Sequence, residues 1–117
     1  MILVDTSVWA DHIRRKNERM VMLMADGQIL IHPFAVGELA LGNLENRAAY
    51  LTPLNSLQSS TMATDDEFMA MIETKALFGS GINYVDVHLL AAACLSQAKL
   101  WTNDKRLHCA AVRLGLS

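Results

Sequence analysis

The segment Ile2-Leu3-Val4-Asp5-Thr6-Ser7-Val8-Trp9 decides the fold, because a short apolar run ends there at an acid and helix-starting residues follow at once. The apolar run predicts a short buried strand, and the two hydroxyl residues after the acid are good N-caps for a helix that continues to Ile13. The same order recurs near the C-terminus, where a strand is predicted over residues 99–101 and a helix over residues 105–114. Strands that alternate with helices favour an α/β fold with a mostly parallel sheet of about four to five strands, flanked by helices.

Patterns between these two ends predict the remaining elements. Their limits are predicted from the spacing of apolar residues, from Pro33 and from the capping-box sequence Thr64-Asp65-Asp66-Glu67. We predict helices over residues 17–25, 34–41, 44–51, 64–72 and 85–97, the third of them ending before Pro53, and a strand over residues 28–31. Residues 54–62 are expected to form a loop with one short strand, and Gly79-Ser80-Gly81 is expected to form a flexible turn.

Composition indicates one domain, residues 1–117, with a packed core. Of the residues 52% are hydrophobic and the mean hydropathy is +0.22, which predicts that another chain, such as a second copy, covers part of the apolar surface. No apolar stretch approaches the ~20 residues needed to span a bilayer, and the N-terminus lacks the features of a secretion signal. Cys94 and Cys109 are expected to be reduced core residues, so we expect a cytoplasmic protein with no membrane association.

Four acids, Asp5, Glu38, Asp86 and Asp104, lie within or directly after apolar segments. A carboxylate that is buried without a partner costs several kcal/mol, so its usual partner is a basic group or a cation. Since no Lys or Arg lies in the three segments before Asp104, the oxygen donors predict a hard divalent cation, Mg²⁺ or Mn²⁺. With the four acids neutralised the formal net charge of −2 becomes +2, so charge alone neither supports nor excludes a polyanionic partner.

The predicted topology brings these acids to one place. Asp5 and Asp104 each follow a strand directly, and the carboxyl ends of parallel strands share one edge of the sheet, where sites form in such folds. Asp86 opens a helix and Glu38 lies inside one, and both helices can lean over that edge. We therefore predict one metal site at this edge.

Other interpretations of the same residues stay open. Asp5 and Asp104 are also suited to be helix N-caps, and Asp86 is suited to complement a helix dipole, although such roles do not account for Glu38. A phosphatase with Asp5 as its nucleophile is a second class of enzyme, but Ser7 stands where that chemistry commonly has an acid. The four histidines have no ligand spacing, which argues against zinc.

Four blocks stand in order along the chain: Met-Ile-Leu-Val-Asp-Thr-Ser-Val-Trp (residues 1–9), Gly-Glu-Leu-Ala-Leu-Gly (37–42), Gly-Ile-Asn-Tyr-Val-Asp-Val-His-Leu-Leu-Ala-Ala-Ala (81–93) and Leu-Trp-Thr-Asn-Asp-Lys-Arg-Leu (100–107). Together they resemble the PIN domain and, more narrowly, the VapC-type toxins of bacterial toxin–antitoxin pairs. The resemblance covers nearly the whole chain and implies a PIN-like fold. The segment between Glu38 and Asp86 is somewhat short for the family.

The resemblance implies a ribonuclease that hydrolyses RNA with one or two Mg²⁺ or Mn²⁺ ions and leaves a 5′-phosphate and a 3′-hydroxyl. It implies that Asp5, Glu38, Asp86 and Asp104 are the metal ligands and catalytic residues, with Glu38 either a ligand or the group that orients the attacking water. Thr6 and Thr102 match hydroxyl positions of the family, and Thr102 is expected to bond Asp104 or a metal-bound water. The implied partners are RNA, a cognate VapB-like antitoxin in a hetero-oligomer, and a second copy in a homodimer. An inactive PIN-like interaction module is the alternative.

Two groups of basic residues are candidates for RNA contacts. Arg14 and Arg15 belong to a basic run close in sequence to Asp5, and Lys105 and Arg106 follow Asp104. Solvated helix ends are the alternative interpretation of both groups.

Overall fold

Four short strands form one parallel sheet in the order β3-β2-β1-β4, in a computed structural model that describes residues 1–117. The strands are β1 (Ile2–Val4), β2 (Ile29–Ile31), β3 (Gln58–Ser59) and β4 (Lys99–Trp101). All three pairings are parallel, with Leu3 opposite Leu30 and Leu100, and Ile31 opposite Ser59. The sequence-based prediction of an α/β fold with a parallel sheet flanked by helices is confirmed.

Seven helices surround the sheet. They are α1 (Thr6–Arg14), α2 (Glu18–Ala25), α3 (Pro33–Leu41), α4 (Arg47–Leu54), α5 (Asp65–Thr74), α6 (Tyr84–Leu95) and α7 (Lys105–Arg113). The capping box at Thr64 is present, since its hydroxyl accepts from the N–H of Glu67 and the Glu67 carboxylate accepts from the N–H of Thr64. The turn at Gly79-Ser80-Gly81 separates α5 from α6, as predicted.

Several helix limits differ from the predictions; α5 runs to Thr74 rather than to residue 72, and α6 ends at Leu95 rather than at residue 97. The N-cap of α1 is Asp5 rather than Thr6 or Ser7, because the helix begins directly after the strand. The helix predicted over residues 44–51 is present as α4, but both of its limits were wrong. It begins after Asn46, whose left-handed φ of 53° is incompatible with a helix interior, and it includes Pro53. Proline is tolerated there because it lies in the last turn, where few later hydrogen bonds are lost.

The two faces of the sheet are covered by separate apolar clusters, since side chains alternate along a strand. Leu3, Leu30 and Leu100 project to the face that α5, α6 and α7 cover, and the residues of α6 from Val87 to Ala93 are all buried there. Val4 projects to the opposite face with the buried residues of α1, α2 and α3.

Cys94 and Cys109 are exposed, so the expectation that they are core residues is wrong. Cys94 lies near the end of α6 and Cys109 on the outer side of α7, and the alanines around them in the sequence are the residues that face the core. Trp9 is buried, whereas Trp101 is half-buried under the guanidinium of Arg19, whose carbon lies 4.5 Å from the ring centroid. None of the helices is long and apolar enough to cross a membrane.

Candidate functional site

One polar residue follows the end of each strand, and together these four residues form a row along the carboxyl edge of the sheet. Extending the register of the strands by one or two positions places Thr102 beside Asp5, Asp5 beside His32, and His32 beside Ser60. All four are buried, and with His88 they are all the buried polar residues of the structure. The polar edge therefore lies where parallel-sheet proteins commonly build their sites.

Asp5 is the centre of this row and is 7% exposed. Its Oδ2 accepts hydrogen bonds from the hydroxyl of Thr102 at 2.7 Å and from the hydroxyl of Ser7 at 2.8 Å. The N–H of Asn103 donates to the Ser7 hydroxyl at 3.0 Å, so the donors are themselves held by the backbone after β4. Two neutral donors hold the carboxylate, and no basic side chain does.

Asp86 lies at the start of α6, directly above this edge. Its carboxylate accepts from the N–H of Asn83 at 3.1 Å, while its own N–H donates to the Asn83 side chain at 2.8 Å. Burial raises the pKa of Asp86 above its ordinary value, the Asn83 hydrogen bond opposes the rise, and the negative charges of Asp5, Asp104 and Glu38 add to it. The other three acids are thus close enough to Asp86 to act on its charge.

Glu38 and Asp104 complete the group from two further helices. The Thr6 hydroxyl donates to Glu38 Oε1 at 2.7 Å, which ties α3 to the start of α1. Asp104 is the N-cap of α7, where its Oδ1 accepts from the N–H of Leu107 at 2.9 Å. Both side chains are exposed, so the sequence-based expectation of four buried acids is wrong for these two, because α3 and α7 lie at the rim of the edge.

Each of the four carboxylates has one oxygen held by a protein donor and a second oxygen with no protein partner. The free oxygens are Oδ1 of Asp5, Oε2 of Glu38, Oδ1 of Asp86 and Oδ2 of Asp104. The only ion pair in the structure joins Arg14 to Asp11, so no basic group neutralises these acids. Four fixed carboxylates with unused oxygens match the ligands that hard divalent cations prefer.

The side chains nevertheless lie too far apart to share an ion as they stand. No three His, Cys, Asp or Glu side chains are close enough together to hold a metal in this arrangement. Asp86 and Asp104 are both turned toward the backbone N–H groups that they cap. Binding of one ion by several of these carboxylates therefore requires side-chain rotation, which is easiest for the exposed Glu38 and Asp104.

Thr102 bonds Asp104 as expected, through the backbone N–H, and it also bonds Asp5. Its hydroxyl donates to Asp5 and accepts from the backbone N–H of Asp104 at 3.0 Å. Ser7 is the second donor to Asp5, a role that the sequence analysis did not assign to it. The spacing Asp-x-Ser at the start of a helix could have indicated this, because the residue two positions on turns back toward the N-cap.

His32 and His88 are buried histidines that sequence reasoning left without a role. His32 Nδ1 accepts from the N–H of Phe34 at 2.9 Å and so caps α3, which carries Glu38. His88 stacks on Phe68 with ring centroids 4.3 Å apart, and its ring lies 6.2 Å from that of His32. Burial and the neighbouring His88 lower the pKa of His32 to about 4, so it is neutral at pH 7. The pair packs the starts of α3 and α6 together.

The basic candidates fall into two separate places. Arg14 pairs with Asp11 and, with Arg15, ends α1 away from Asp5, where cations complement the helix dipole. Lys105 and Arg106 lie in the first turn of α7, directly after Asp104. Lys105 and Arg106 are therefore the pair next to the acids.

Comparisons with known proteins agree with this architecture. Residues 2–112 match the family model described as PIN domain. The chain is 40% identical over 118 aligned residues to Ribonuclease VapC32 of Mycobacterium tuberculosis, in strains CDC 1551 / Oshkosh and ATCC 25618 / H37Rv, covering 100% of this chain and 95% of that protein. The crystal structure of PAE2754 from Pyrobaculum aerophilum has the same fold, with a TM-score of 0.63 and 18% identity over 99% of this chain and 90% of that one. The chain therefore belongs to the PIN-domain family.

Proposed function

We propose that this chain is a VapC-type ribonuclease, the toxin of a toxin–antitoxin pair, that hydrolyses RNA with one or two Mg²⁺ or Mn²⁺ ions. One observation carries the proposal: Asp5, Glu38 and Asp104 lie close enough to Asp86 to raise its pKa, and each of the four keeps a carboxylate oxygen free of protein partners. The 40% identity to a protein named Ribonuclease VapC32 supports the choice of RNA as substrate.

The four acids are the proposed ligands. Asp5 and Asp86 are the primary pair because they are the more buried, and Asp104 and Glu38 complete the site from the exposed side. A divalent cation bound there would lower the pKa of a water and stabilise negative charge on the phosphate. Relief of the repulsion that raises the pKa of Asp86 favours the binding of such a cation.

The hydroxyl residues of the site hold the acids in place. Thr102 and Ser7 fix one oxygen of Asp5, so its free oxygen keeps one direction. Thr6 fixes one oxygen of Glu38, and Glu38 is the proposed group that binds a cation or orients the attacking water. The products would be a 5′-phosphate and a 3′-hydroxyl, as the family resemblance implies.

We further propose a cytoplasmic protein that pairs with itself and is inhibited by a VapB-like antitoxin. Large apolar side chains on the surface support a protein partner, since contiguous apolar surface commonly marks an interface. The most exposed of them are Leu41, Met22, Phe78 and Tyr84. Phe78 and Tyr84 line one groove, whereas Met22 and Leu41 lie on α2 and α3, so separate surfaces are available to a second copy and to an antitoxin.

The proposal is tested by induction of the chain without an antitoxin, followed by mapping of new 5′ ends in cellular RNA. The wild-type chain should arrest growth and produce discrete 5′-phosphate ends, and Asp5→Asn should do neither. Asp65→Asn is the matched control, because Asp65 is an exposed acid in the first turn of α5 that has no part in the site. Equal toxicity of the Asp5→Asn and wild-type chains would refute the catalytic proposal.

The alternative of an inactive interaction module has one observation in its favour, namely that no three potential ligands are close enough to hold an ion as they stand. The two proposals differ in metal binding. A module without activity should bind no Mn²⁺ at millimolar concentration, whereas the proposed nuclease should bind it through Asp5 and Asp86.

A further inference from the structure

The helix α7 carries a groove whose charged side chains are all positive. The groove is lined by Ser80, Lys105, Arg106, Cys109, Ala110 and Arg113. Three of these residues are cations, none is an acid, and none of the cations forms an ion pair. Such a surface favours a polyanion.

The groove begins beside Asp104 and near the start of α6, which carries Asp86. Lys105 directly follows Asp104, and the Arg106 guanidinium lies 3.4 Å from the carbonyl oxygen of Gly81, which it contacts as a donor. Gly81 is two residues before Asn83, the N-cap of the helix that carries Asp86. The positive groove is therefore continuous with the two helix starts that bring Asp86 and Asp104 to the site.

The length of the groove suits a chain of phosphates. Arg113 lies seven residues after Arg106 on the same helix, a rise of about 10 Å. A nucleic-acid strand carries more than one phosphate over that distance. The Arg113 guanidinium donates to the carbonyl of Lys75 at 2.9 Å, which holds this end of the groove in place.

The stability of α7 does not explain why Lys105 and Arg106 are basic. Lys105 and Arg106 occupy the first turn of α7, where the positive end of the helix dipole disfavours cations by a few tenths of a kcal/mol. Gly81 has a φ of +82°, and a Cβ built there would lie 2.8 Å from the nearest guanidinium nitrogen of Arg106. The glycine of the turn therefore leaves the space that the Arg106 side chain occupies.

The other basic cluster has a structural explanation. Arg14, Arg15 and Lys16 end α1, where cations complement the dipole, and Arg14 is paired with Asp11. This cluster therefore serves as a control for the groove, because it carries the same charge but lies at the end of its helix that is farther from Asp5.

We propose that the groove of Lys105, Arg106 and Arg113 binds the backbone phosphates of single-stranded RNA on one side of the cleaved bond. This inference rests on the proposed function, since it describes how the substrate of that site is held. Phosphate contacts of this kind position a strand without reading its sequence. Lys105 would contact the phosphate nearest the acids, and Arg113 one farther away.

The test measures binding of a fluorescein-labelled single-stranded RNA to the full chain in EDTA, by anisotropy over a series of salt concentrations. Arg106→Gln with Arg113→Gln should weaken binding about tenfold and reduce the salt slope by about 1.4, or about 0.7 for each phosphate that is no longer neutralised. Arg14→Gln with Arg15→Gln, which removes the same charge, should bind within about twofold of wild type.

Folding is checked by thermal melting, and Arg106→Gln alone covers the case in which replacement of Arg113 unfolds the chain. The single variant should show about half the change in salt slope. Charge-preserving Arg106→Lys should bind as wild type does. Equal binding by the groove variants and wild type, or an equal weakening in the Arg14 and Arg15 variant, overturns the proposal.

Cleavage assays separate this inference from the proposed function. With Mn²⁺, the groove variants should raise KM while kcat stays near the wild-type value, because the acids are intact. If the wild-type chain cleaves no RNA, the proposed function has failed whatever the groove binds. If the wild-type chain cleaves and the groove variants have an unchanged KM, the groove inference alone has failed.

Discussion

Replacement of Thr102 by valine tests how the buried carboxylate of Asp5 is held. Valine has nearly the shape of threonine, so the change removes a hydroxyl and leaves little empty space. The hydroxyl donates to Asp5 Oδ2 at 2.7 Å and accepts from the N–H of Asp104 at 3.0 Å. After the change Ser7 is the only donor to that oxygen.

The expected cost follows from these two bonds. A hydrogen bond to a charged group contributes about 1.5–3 kcal/mol to stability. The N–H of Asp104 adds little, because Asp104 is exposed and water can replace the missing acceptor. We therefore expect a loss of about 2 kcal/mol in the free energy of unfolding. For a chain of this size about 4 °C corresponds to each kcal/mol, so Tm should fall by about 8 °C.

The assay is thermal denaturation followed by circular dichroism at pH 7 in EDTA. Thr102→Ser keeps the hydroxyl and should lose much less stability than Thr102→Val. Ser7→Ala removes the other donor to Asp5 and should give a loss of similar size. A Thr102→Val protein that melts within about 2 °C of wild type would refute the reasoning, since the hydroxyl would then contribute no net stability.

Three further predictions concern the acids, the buried histidines and a helix cap. The pKa of Asp86 is raised, so the folded protein favours the protonated carboxyl. Asp86→Asn should therefore raise Tm in EDTA at pH 7. This gain in Tm should become smaller at acid pH, where the wild-type carboxyl is itself protonated. His32 has a pKa lowered from 6.5 to about 4, so the unfolded chain takes up its proton first as pH falls, and stability should drop by about 3 kcal/mol between pH 6.5 and 4. His32→Asn keeps a cap acceptor and should flatten that drop in urea titrations; an unchanged pH profile would contradict the assignment. Thr64→Ala breaks the capping box of α5 and should cost about 1 kcal/mol of stability while RNA cleavage stays unchanged.

The sheet and most helices could be predicted because their sequence signals are local. The strands β1 and β4 have the predicted limits, since each apolar run ends at a polar residue, Asp5 or Thr102. The helix α4 could not be placed from Pro53, which usually ends a helix. Its start depends on the left-handed conformation of Asn46, which no apolar pattern reveals.

The site was predictable only in part. Asp5 and Asp104 follow strands, so a parallel sheet brings them to one edge by topology alone. Glu38 has apolar neighbours in sequence, yet it is exposed beside Gly37 while Ala35 and Leu39 face the core. Sequence neighbours therefore gave the wrong burial for this acid, since they do not tell which side of a helix faces the interior.

The row of polar residues along the sheet edge could be recognised only from the register of the strands. His32 and Ser60 look ordinary in sequence, and only the pairing of β2 with β1 and β3 shows that they continue the row from Asp5. Ser7, in contrast, could have been recognised from its place two residues after Asp5, since a hydroxyl at that position turns back toward the N-cap.

Four acids from separate elements are proposed to bind divalent cations at one site. Calorimetric titration of the metal-free chain with Mn²⁺ measures this binding. We expect one or two bound ions, with affinity reduced about tenfold or more by Asp5→Asn and by Asp86→Asn, and unchanged by the control Asp65→Asn. Absence of Mn²⁺ binding at millimolar concentration, or wild-type affinity in both site variants, would contradict the proposal.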